Sequence, residues 1–253
     1  MAKLNHAIAE NVRQGDNMGE MVKIDAMGED AVFPAYLAVP SGAAKTAIIV
    51  IPEIFGVNPG IRQKCDRLAE AGYLALAPDI FWRFAPGVEL NPDIEADLQE
   101  AFGYFGQYEA GDGVRDIEAC IHAIRKGLPG HVPIEKVGCV GYCLGGRLAY
   151  MAATRTDISA SVGYYGVMID QMLNESHAIA NPLMLHIPTA DHFVGPEAQA
   201  AIHSALDSHP KVTLHDYAGL DHGFAAEMGN RRDEAGAALA DSRTAAFFTE
   251  HLG

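Results

Sequence analysis

The sequence predicts an α/β protein with a mostly parallel central sheet and helices on both faces. Two observations predict this class. First, short apolar runs alternate with longer segments of helical periodicity, as in strand–helix–strand units. Second, several apolar runs lack polar alternation, which is typical of strands buried on both faces. We expect one domain over residues 1–253, with residues 1–19 as an N-terminal lead segment.

The first half of the chain opens with a predicted meander. Residues 20–27 and 32–39 have the pattern of two strands, and Gly28 lies in the turn between them. Residues 46–51 form a continuous apolar run that ends at Pro52, as expected of a buried strand. The pattern then predicts a helix at 61–71, a strand at 73–77 and helices at 94–106 and 112–127.

The second half repeats the alternation. Residues 136–140 form another buried strand, which is followed by a helix from residue 144 to about residue 154. We expect further strands at 159–165, 183–187 and 212–217, and helices at 196–208 and 235–251. The irregular stretch 79–92 follows the end of a strand, where open α/β sheets place their ligands.

Charge and composition restrict the partners. The chain has 18 Lys and Arg against 33 Asp and Glu, a formal charge of −15, which argues against nucleic acid or an anionic membrane as partner. No run of about eighteen apolar residues indicates a membrane span, and the N-terminal stretch lacks the apolar core of a secretory signal. Four cysteines are too few for a disulfide scaffold, so we expect a cytoplasmic protein.

The most informative motif is Gly-Tyr-Cys-Leu-Gly at residues 141–145, between a predicted strand and a predicted helix. Gly-x-Cys-x-Gly in this position has the pattern of a nucleophile elbow with a thiol in place of a hydroxyl. The sharp turn would expose the sulfur of Cys143, and the amide of Leu144 would face a developing oxyanion. The alternative is a buried core cysteine between glycines that allow close packing of helix on strand.

An elbow thiol needs a base and an acid that orients the base, and these follow the nucleophile in the order acid, then histidine. Asp191 comes directly after one predicted strand, and His222 follows the next one along the chain. They are the expected acid and base; the competitors are His192, Asp221, His186 and His215. Two Asp-His pairs could also suggest a metal site, but no compact ligand motif accompanies them, so we expect no metal.

Segments 52–58 (PEIFGVN), 141–146 (GYCLGG) and 222–224 (HGF), together with Asp191, resemble the dienelactone hydrolase family. The resemblance extends from about residue 21 to residue 252. It implies an α/β-hydrolase fold and carboxymethylenebutenolidase activity without a cofactor. It also leads us to expect a monomer.

The resemblance also assigns roles to particular residues. It implies a triad of nucleophile, general base and orienting acid formed by Cys143, His222 and Asp191. In the family, the glutamate that corresponds to Glu53 lies beside the thiol and helps to activate it when substrate binds, which fits a thiolate nucleophile. The amide of Ile54 is implied as a second oxyanion donor beside that of Leu144.

Substrate binding is where the sequence departs from the family. The resemblance implies that Arg83 holds the substrate carboxylate, since guanidinium groups bind carboxylates through paired hydrogen bonds. Characterised members have a second arginine four residues after the catalytic histidine and a serine directly after that histidine. This chain has Ala226 and Gly223 there. Arg231 and Arg232 are near enough in sequence to replace the missing arginine.

These observations predict a cysteine-dependent hydrolase of small lactones or esters, with dienelactone as the leading substrate. A carboxylesterase or thioesterase for less charged esters is the alternative that Ala226 favours, with a pocket walled by Phe81, Trp82, Phe84, Phe102 and Phe105. A binding protein of the same fold without turnover is the third hypothesis, and the intact triad argues against it.

Overall fold

The structure, a computed structural model, describes residues 19–253. Eight strands form one sheet in the order β1-β2-β4-β3-β5-β6-β7-β8. The strands are β1 (Glu20–Asp25), β2 (Val32–Ala38), β3 (Thr46–Ile51), β4 (Leu74–Pro78), β5 (Lys136–Tyr142), β6 (Ala160–Tyr164), β7 (Leu183–Pro188) and β8 (Val212–Tyr217).

Six of the eight strands run parallel. Strand β2 pairs antiparallel with both β1 and β4, and every pairing from β4 to β8 is parallel. The central strands β3, β4 and β6 are buried at every position, which explains their unbroken apolar sequences. The carboxyl ends of these parallel strands meet at one edge of the sheet.

Helices cover both faces of the sheet. They are α1 (Pro59–Glu70), α2 (Glu95–Gln107), α3 (Ala110–Lys126), α4 (Leu144–Arg155), α5 (Pro196–Leu206) and α6 (Glu234–Leu252), with a 3-10 helix at Ile169–Ala178. Two positions on opposite faces of β5 show the two layers of helices. A side chain at Gly138 would meet α6, and one at Gly141 would meet α4. None of the helices in residues 19–253 has the length and apolar composition needed to cross a membrane.

The predicted fold class is confirmed, and the differences lie at the ends of elements. Strand β5 continues two residues beyond the predicted end, because the extended backbone runs into the turn that carries Cys143. Helix α1 begins two residues earlier, since the side chain of Asn58 accepts the amide of Ile61 and caps the helix. The 3-10 helix was not predicted, and residues 1–18 of the predicted lead segment lie outside the described residues.

The turn from β5 into α4 is packed against β3 without space for side chains. A Cβ atom at Gly145 would overlap the carbonyl oxygen of Ile51 and lie 2.7 Å from that of Pro52. A Cβ atom at Gly141 would overlap the carbonyl of Gly145. All these neighbours are backbone atoms, so they cannot move aside as a flexible side chain would. Both glycines of the Gly-x-Cys-x-Gly motif are therefore required by sterics.

We expect Gly145→Ala to destabilise the fold by about 1–3 kcal/mol or more, because overpacked sites must distort their surroundings. The matched control is Gly103→Ala in α2, where an added methyl group has nothing within 4 Å. That substitution should stabilise the protein by about 0.5–1 kcal/mol through helix propensity. Urea unfolding of both variants measures the difference, and equal stability of the two would contradict the steric argument.

Candidate active site

The thiol of Cys143 lies at the sharp turn between β5 and α4. Cys143 has φ 56° and ψ −112°, a conformation that non-glycine residues rarely adopt. Its amide donates to the carbonyl of Tyr164 at 3.0 Å, and its carbonyl accepts the amide of Arg147 at 3.1 Å. Neighbouring backbone thus holds a strained residue in place, as expected of a functional position.

The other three cysteines differ from Cys143 in their surroundings. Cys65 and Cys120 are fully buried in α1 and α3, and burial raises the pKa of each thiol well above its usual value. Burial also raises the pKa of Cys139, to about 12. Since the thiolate is the nucleophilic form, burial disfavours reaction at these three thiols, whereas Cys143 lines a cavity.

His222 and Asp191 form a buried pair at the same edge of the sheet. Their side chains are 2% and 1% exposed, and Nδ1 of His222 donates to Oδ2 of Asp191 at 2.9 Å. The other carboxylate oxygen of Asp191 accepts the amides of Phe193 and Val194 at 2.8 and 3.1 Å. The acid is thereby fixed by its own loop, and it in turn fixes the orientation of the imidazole.

The charge of this histidine depends on both of its neighbours. Burial by itself lowers the pKa of His222, but the Cys143 sulfur and the Asp191 carboxylate outweigh it and raise the pKa to about 10. Nε2 of His222 is buried and has no hydrogen-bond partner within residues 19–253. The sulfur and the carboxylate thus favour the protonated form of the imidazole, which is the form that stabilises a thiolate.

Cys143 and His222 line a cavity of about 50 Å³. Glu53 and Arg231 line the same cavity, so it contains a thiol, an imidazole, a carboxylate and a guanidinium. The remaining side chains are mostly apolar: Ile54, Phe55, Leu98, Phe102, Phe105, Val167 and Phe193. Of the five aromatic residues expected to wall a pocket, Phe102 and Phe105 line it, whereas Phe81, Trp82 and Phe84 do not.

Glu53 directly follows β3 and is 8% exposed. Its carboxylate makes no hydrogen bond with another described residue, whereas buried polar groups are usually hydrogen-bonded. The phenol of Tyr165 lies near it: burial raises the pKa of Tyr165, and the charges of Glu53 and Cys143 raise it further, whereas Arg231 lowers it. Sequence reasoning missed Tyr165, because nothing in its local pattern marks it.

Arg231 is the cation of the cavity. Its Nη2 atom is buried without a hydrogen-bond partner, and its guanidinium lies 5.7 Å from the ring centroid of Phe55. No acidic side chain within residues 19–253 forms an ion pair with it. Gly223, with φ +80°, makes room for this arginine, since a Cβ there would lie 3.2 Å from its Nε. The sequence left Arg231 and Arg232 as equal candidates, and the structure brings Arg231 to the cavity.

The other two candidate arginines are already engaged. Arg232 pairs with Glu227 at 3.0 Å and with Glu234 at 3.1 Å. Arg83 makes two hydrogen bonds to the buried carboxylate of Asp116, at 2.7 and 3.0 Å, and two to Glu29, at 2.7 and 3.2 Å.

The expectation that Arg83 binds the substrate carboxylate stays a prediction, and the position of its side chain does not favour it. Its guanidinium faces Asp116, lies 4.3 Å from the ring centroid of Trp82 and does not line the cavity of Cys143. Proximity in sequence to the end of β4 suggested a ligand-binding position, but that signal does not show which carboxylates will surround the side chain.

Two backbone amides near the turn are the expected oxyanion donors. The N–H groups of Leu144, at the start of α4, and of Ile54 donate to no other group within residues 19–253. An unpaired amide at a helix N-terminus favours negative charge. Both expected oxyanion donors are thus unoccupied, and Ile54 lines the cavity.

The competing histidines are placed outside the cavity. His186 is buried in β7, where Nδ1 bonds the hydroxyl of Tyr217 at 2.7 Å and Nε2 that of Thr244 at 2.9 Å, and burial holds its pKa well below the usual value. His215 lies in β8. His192 is about half exposed and pairs with Asp221 instead of reaching the thiol.

Asp191, His192 and Asp221 bring three ligand-type atoms within 4.8 Å of one another. Asp191 already binds His222 and two amides, and Asp221 already binds His192, so hydrogen bonds occupy the atoms that a metal ion would need. The donor set fits a hydrogen-bond network better than a metal site.

Comparisons with known proteins agree with this geometry. The model of the dienelactone hydrolase family matches residues 33–252. A relative from Azospirillum brasilense, provisionally named a carboxymethylenebutenolidase, is 40% identical over 228 residues, covering 89% of this chain and 96% of its own. The carboxymethylenebutenolidase of Pseudomonas sp. strain P51 is 36% identical over 227 residues, covering 89% and 92%.

A solved structure shares the fold. The dienelactone hydrolase-like promiscuous phosphotriesterase from metagenomic libraries superimposes with a TM-score of 0.72, covering 92% of this chain and 99% of its own at 20% identity. The expected α/β-hydrolase architecture is thereby confirmed over most of the chain.

Because Asp191 helps to raise the pKa of His222, Asp191→Asn should lower that pKa from about 10. The imidazolium would then lose its proton at lower pH, so its titration moves down the pH scale. An NMR titration of the imidazole measures the shift. The pKa of His203, which partial burial lowers but Asp207 and Asp216 raise above its ordinary value, should stay unchanged as an internal control. An unchanged pKa of His222 in this variant would contradict its pairing with Asp191.

Arg83→Ala should act on stability, because it leaves the buried Asp116 carboxylate without its cation. Breaking one side of a buried pair costs about 3 kcal/mol or more in unfolding free energy. The matched control is Arg155→Ala, whose pair with Glu175 is more exposed and should contribute below about 1 kcal/mol. Thermal unfolding compares the variants; a rise in KM for an anionic substrate without loss of stability would favour the original assignment.

Proposed function

This chain belongs to the dienelactone hydrolase family, and from that premise we propose that it opens a small lactone or ester bearing a carboxylate, with dienelactone as the leading substrate. The chain is an enzyme that hydrolyses lactone or ester bonds, which sets aside the hypothesis of a binding protein without turnover. Its substrate and the roles of individual residues are the subject of the proposal.

One observation carries the proposal: the thiol of Cys143 and the unpaired guanidinium of Arg231 line the same cavity. A cation without an acidic partner in a mostly apolar cavity costs free energy unless an anion comes to bind it. A substrate carboxylate provides that anion and places the scissile carbonyl near the sulfur. Arg231 therefore takes the anchoring role that the sequence had suggested for Arg83.

The first chemical step is attack of the Cys143 thiolate on the ring carbonyl. His222, oriented by Asp191, stabilises the thiolate as an imidazolium. Glu53 accepts the thiol proton as substrate enters, a role supported by its buried, unbonded carboxylate in the same cavity. The negative charge that develops on the carbonyl oxygen is bound by the amides of Leu144 and Ile54.

Collapse of this intermediate breaks the ring C–O bond and leaves a thioester to Cys143. In a dienelactone the departing oxygen is an enolate, which takes a proton from water. The hydroxide so formed attacks the thioester carbonyl and releases the thiolate, which regains its proton from Glu53. The new carboxylic acid gives its proton to solvent, so the product is a dicarboxylate. The balance requires one water and no cofactor, and Arg231 keeps the substrate carboxylate in place through both steps.

The second candidate is a carboxylesterase or thioesterase for less charged esters. The specific observation in its favour is the apolar wall of the cavity, formed in part by Leu98, Phe102 and Phe105 of α2 and by Phe193. With Arg83 engaged elsewhere and Ala226 in place of a second arginine, only one cation faces the substrate. The two candidates share Cys143 chemistry and differ in the contribution of Arg231.

We also propose that the enzyme acts as a cytoplasmic monomer. The four cysteines are free, and none is paired in a disulfide, which fits a reducing compartment.

The first experiment compares kcat/KM for cis-dienelactone with that for a neutral aryl acetate, in wild type and in Cys143→Ala. A large ratio that disappears in the variant supports the carboxylate-directed activity. A ratio near one that still depends on Cys143 supports the second candidate. Turnover that survives in the variant refutes the thiol mechanism.

Arg231→Ala should lower kcat/KM for dienelactone by roughly tenfold to a hundredfold, the usual loss of one charge-assisted contact of about 1.5–3 kcal/mol. The same variant should leave the neutral aryl acetate nearly unaffected. Arg232→Ala is the matched control, since that guanidinium is bound by Glu227 and Glu234 and lies outside the cavity. Equal losses on both substrates would show that Arg231 does not bind the carboxylate.

A further inference from the structure

The two Asp-His dipeptides of the sequence pair crosswise in the structure. Asp191 of the first binds His222 of the second, as described above. The remaining halves also meet: Nδ1 of His192 donates to Oδ1 of Asp221 at 2.8 Å. The loop that follows β7 and the loop that follows β8 are thus joined by two His–Asp contacts, one buried and one at the surface.

One carboxylate oxygen of Asp221 accepts most of the hydrogen bonds of the contact at the surface. In addition to the ring of His192, Oδ1 accepts the backbone amide of His192 at 3.0 Å and that of His222 at 2.7 Å. Three N–H groups from two loops therefore converge on one atom. Although slight burial opposes it, these donors hold the pKa of Asp221 below its usual value, so the carboxylate is ionised at neutral pH.

The location of these contacts is informative. Asp221 holds the backbone N–H of the catalytic base itself and the residue directly after the catalytic acid. A backbone bond from Ala190 to Leu220 at 2.9 Å joins the same loops, but it lies one residue before the acid and two before the base. Besides the His222–Asp191 bond itself, Asp221 is therefore a contact that joins the two loops directly beside the residues that react.

Because the pair of His192 and Asp221 is exposed, its role in positioning can be distinguished from its contribution to stability. The side chains of His192 and Asp221 are 52% and 56% exposed. Exposed ion pairs contribute little to the free energy of unfolding, since water and salt screen them. The same hydrogen bonds still fix geometry, and small displacements of a catalytic group have large effects on rate.

We propose that Asp221 is a positioning residue of the triad, which holds the backbone of His222 against the loop of Asp191 so that the imidazole meets the thiol of Cys143. The inference rests on the proposed thiol mechanism. Asp221 touches neither substrate nor sulfur and acts through His222.

The test compares Asp221→Ala, Asp221→Asn and His192→Ala, with kcat and KM measured on a neutral aryl acetate. Asp221→Ala should lower kcat by about tenfold to a hundredfold at nearly constant KM. Asp221→Asn retains an oxygen that accepts the same amides and should recover much of the loss. His192→Ala keeps the contact to the His222 amide and should lose less than Asp221→Ala.

The matched control is Asp216→Ala, which removes another exposed His–Asp contact, the one to Nε2 of His203 at 3.0 Å. It should leave kcat unchanged and show the effect on melting temperature of losing such a pair. If Asp221→Ala does not fold, Asp221→Asn and His192→Ala still test the order of activities.

A wild-type kcat in Asp221→Ala, while Cys143→Ala is inactive, overturns the positioning role and leaves the proposed function intact. Equal losses in Asp221→Asn and Asp221→Ala also overturn it, because charge and not geometry would then act. Activity that persists in Cys143→Ala is the distinct result that would refute the thiol mechanism itself. A loss confined to KM would place Asp221 in substrate binding and overturn the proposal.

Discussion

The rest of the site depends on one steric constraint, the contact between the first turn of α4 and the backbone of β3. Because Gly145 lies directly on the carbonyl oxygens of Ile51 and Pro52, the chain must reverse within a few residues after β5. That reversal forces Cys143 into its strained conformation and directs its sulfur to the edge of the sheet. The start of α4 and the segment after β3 are thereby side by side, which brings the amide-bearing residues Leu144 and Ile54 to the same edge of the sheet as Cys143.

The parallel sheet then determines what can gather around the thiol. Strands β3, β5, β7 and β8 all end at the same edge, and each contributes a reactive group from the residues that follow it. Glu53 follows β3, Asp191 follows β7 and His222 follows β8. Groups separated by up to about 170 residues in sequence thus meet because the register of the parallel strands brings the ends of these strands together. Burial strengthens the electrostatic interactions among these groups. This explains why Cys143 and Asp191 can outweigh the effect of desolvation on the pKa of the imidazole.

Arg83 and Arg231 show how one neighbouring carboxylate decides the role of an arginine. Arg83 lies in a loop well suited to ligand binding, yet the buried Asp116 on α3 takes its guanidinium. Arg231 lies further along the chain than expected, yet the absence of a side chain at Gly223 lets it reach the cavity. A guanidinium has in this way come to line the cavity of Cys143, in a protein whose overall charge is strongly negative. Local field and not net charge governs such a site.

The sequence by itself predicted the fold class and nearly all the strands and helices, and it indicated the thiol, acid and base candidates that the structure brings to one edge of the sheet. These features leave local marks: the period of apolar residues, the glycines around Cys143 and the polar residues that directly follow buried strands. It did not determine which arginine faces the cavity, the packing of Tyr165 and Phe193 against His222, or the crosswise pairing of His192 with Asp221. Those depend on side chains brought together from distant elements, where the distances between charges and the depth of burial exist only once the sheet has formed. Local pattern records backbone geometry, whereas the partner of a charged side chain is set by tertiary packing.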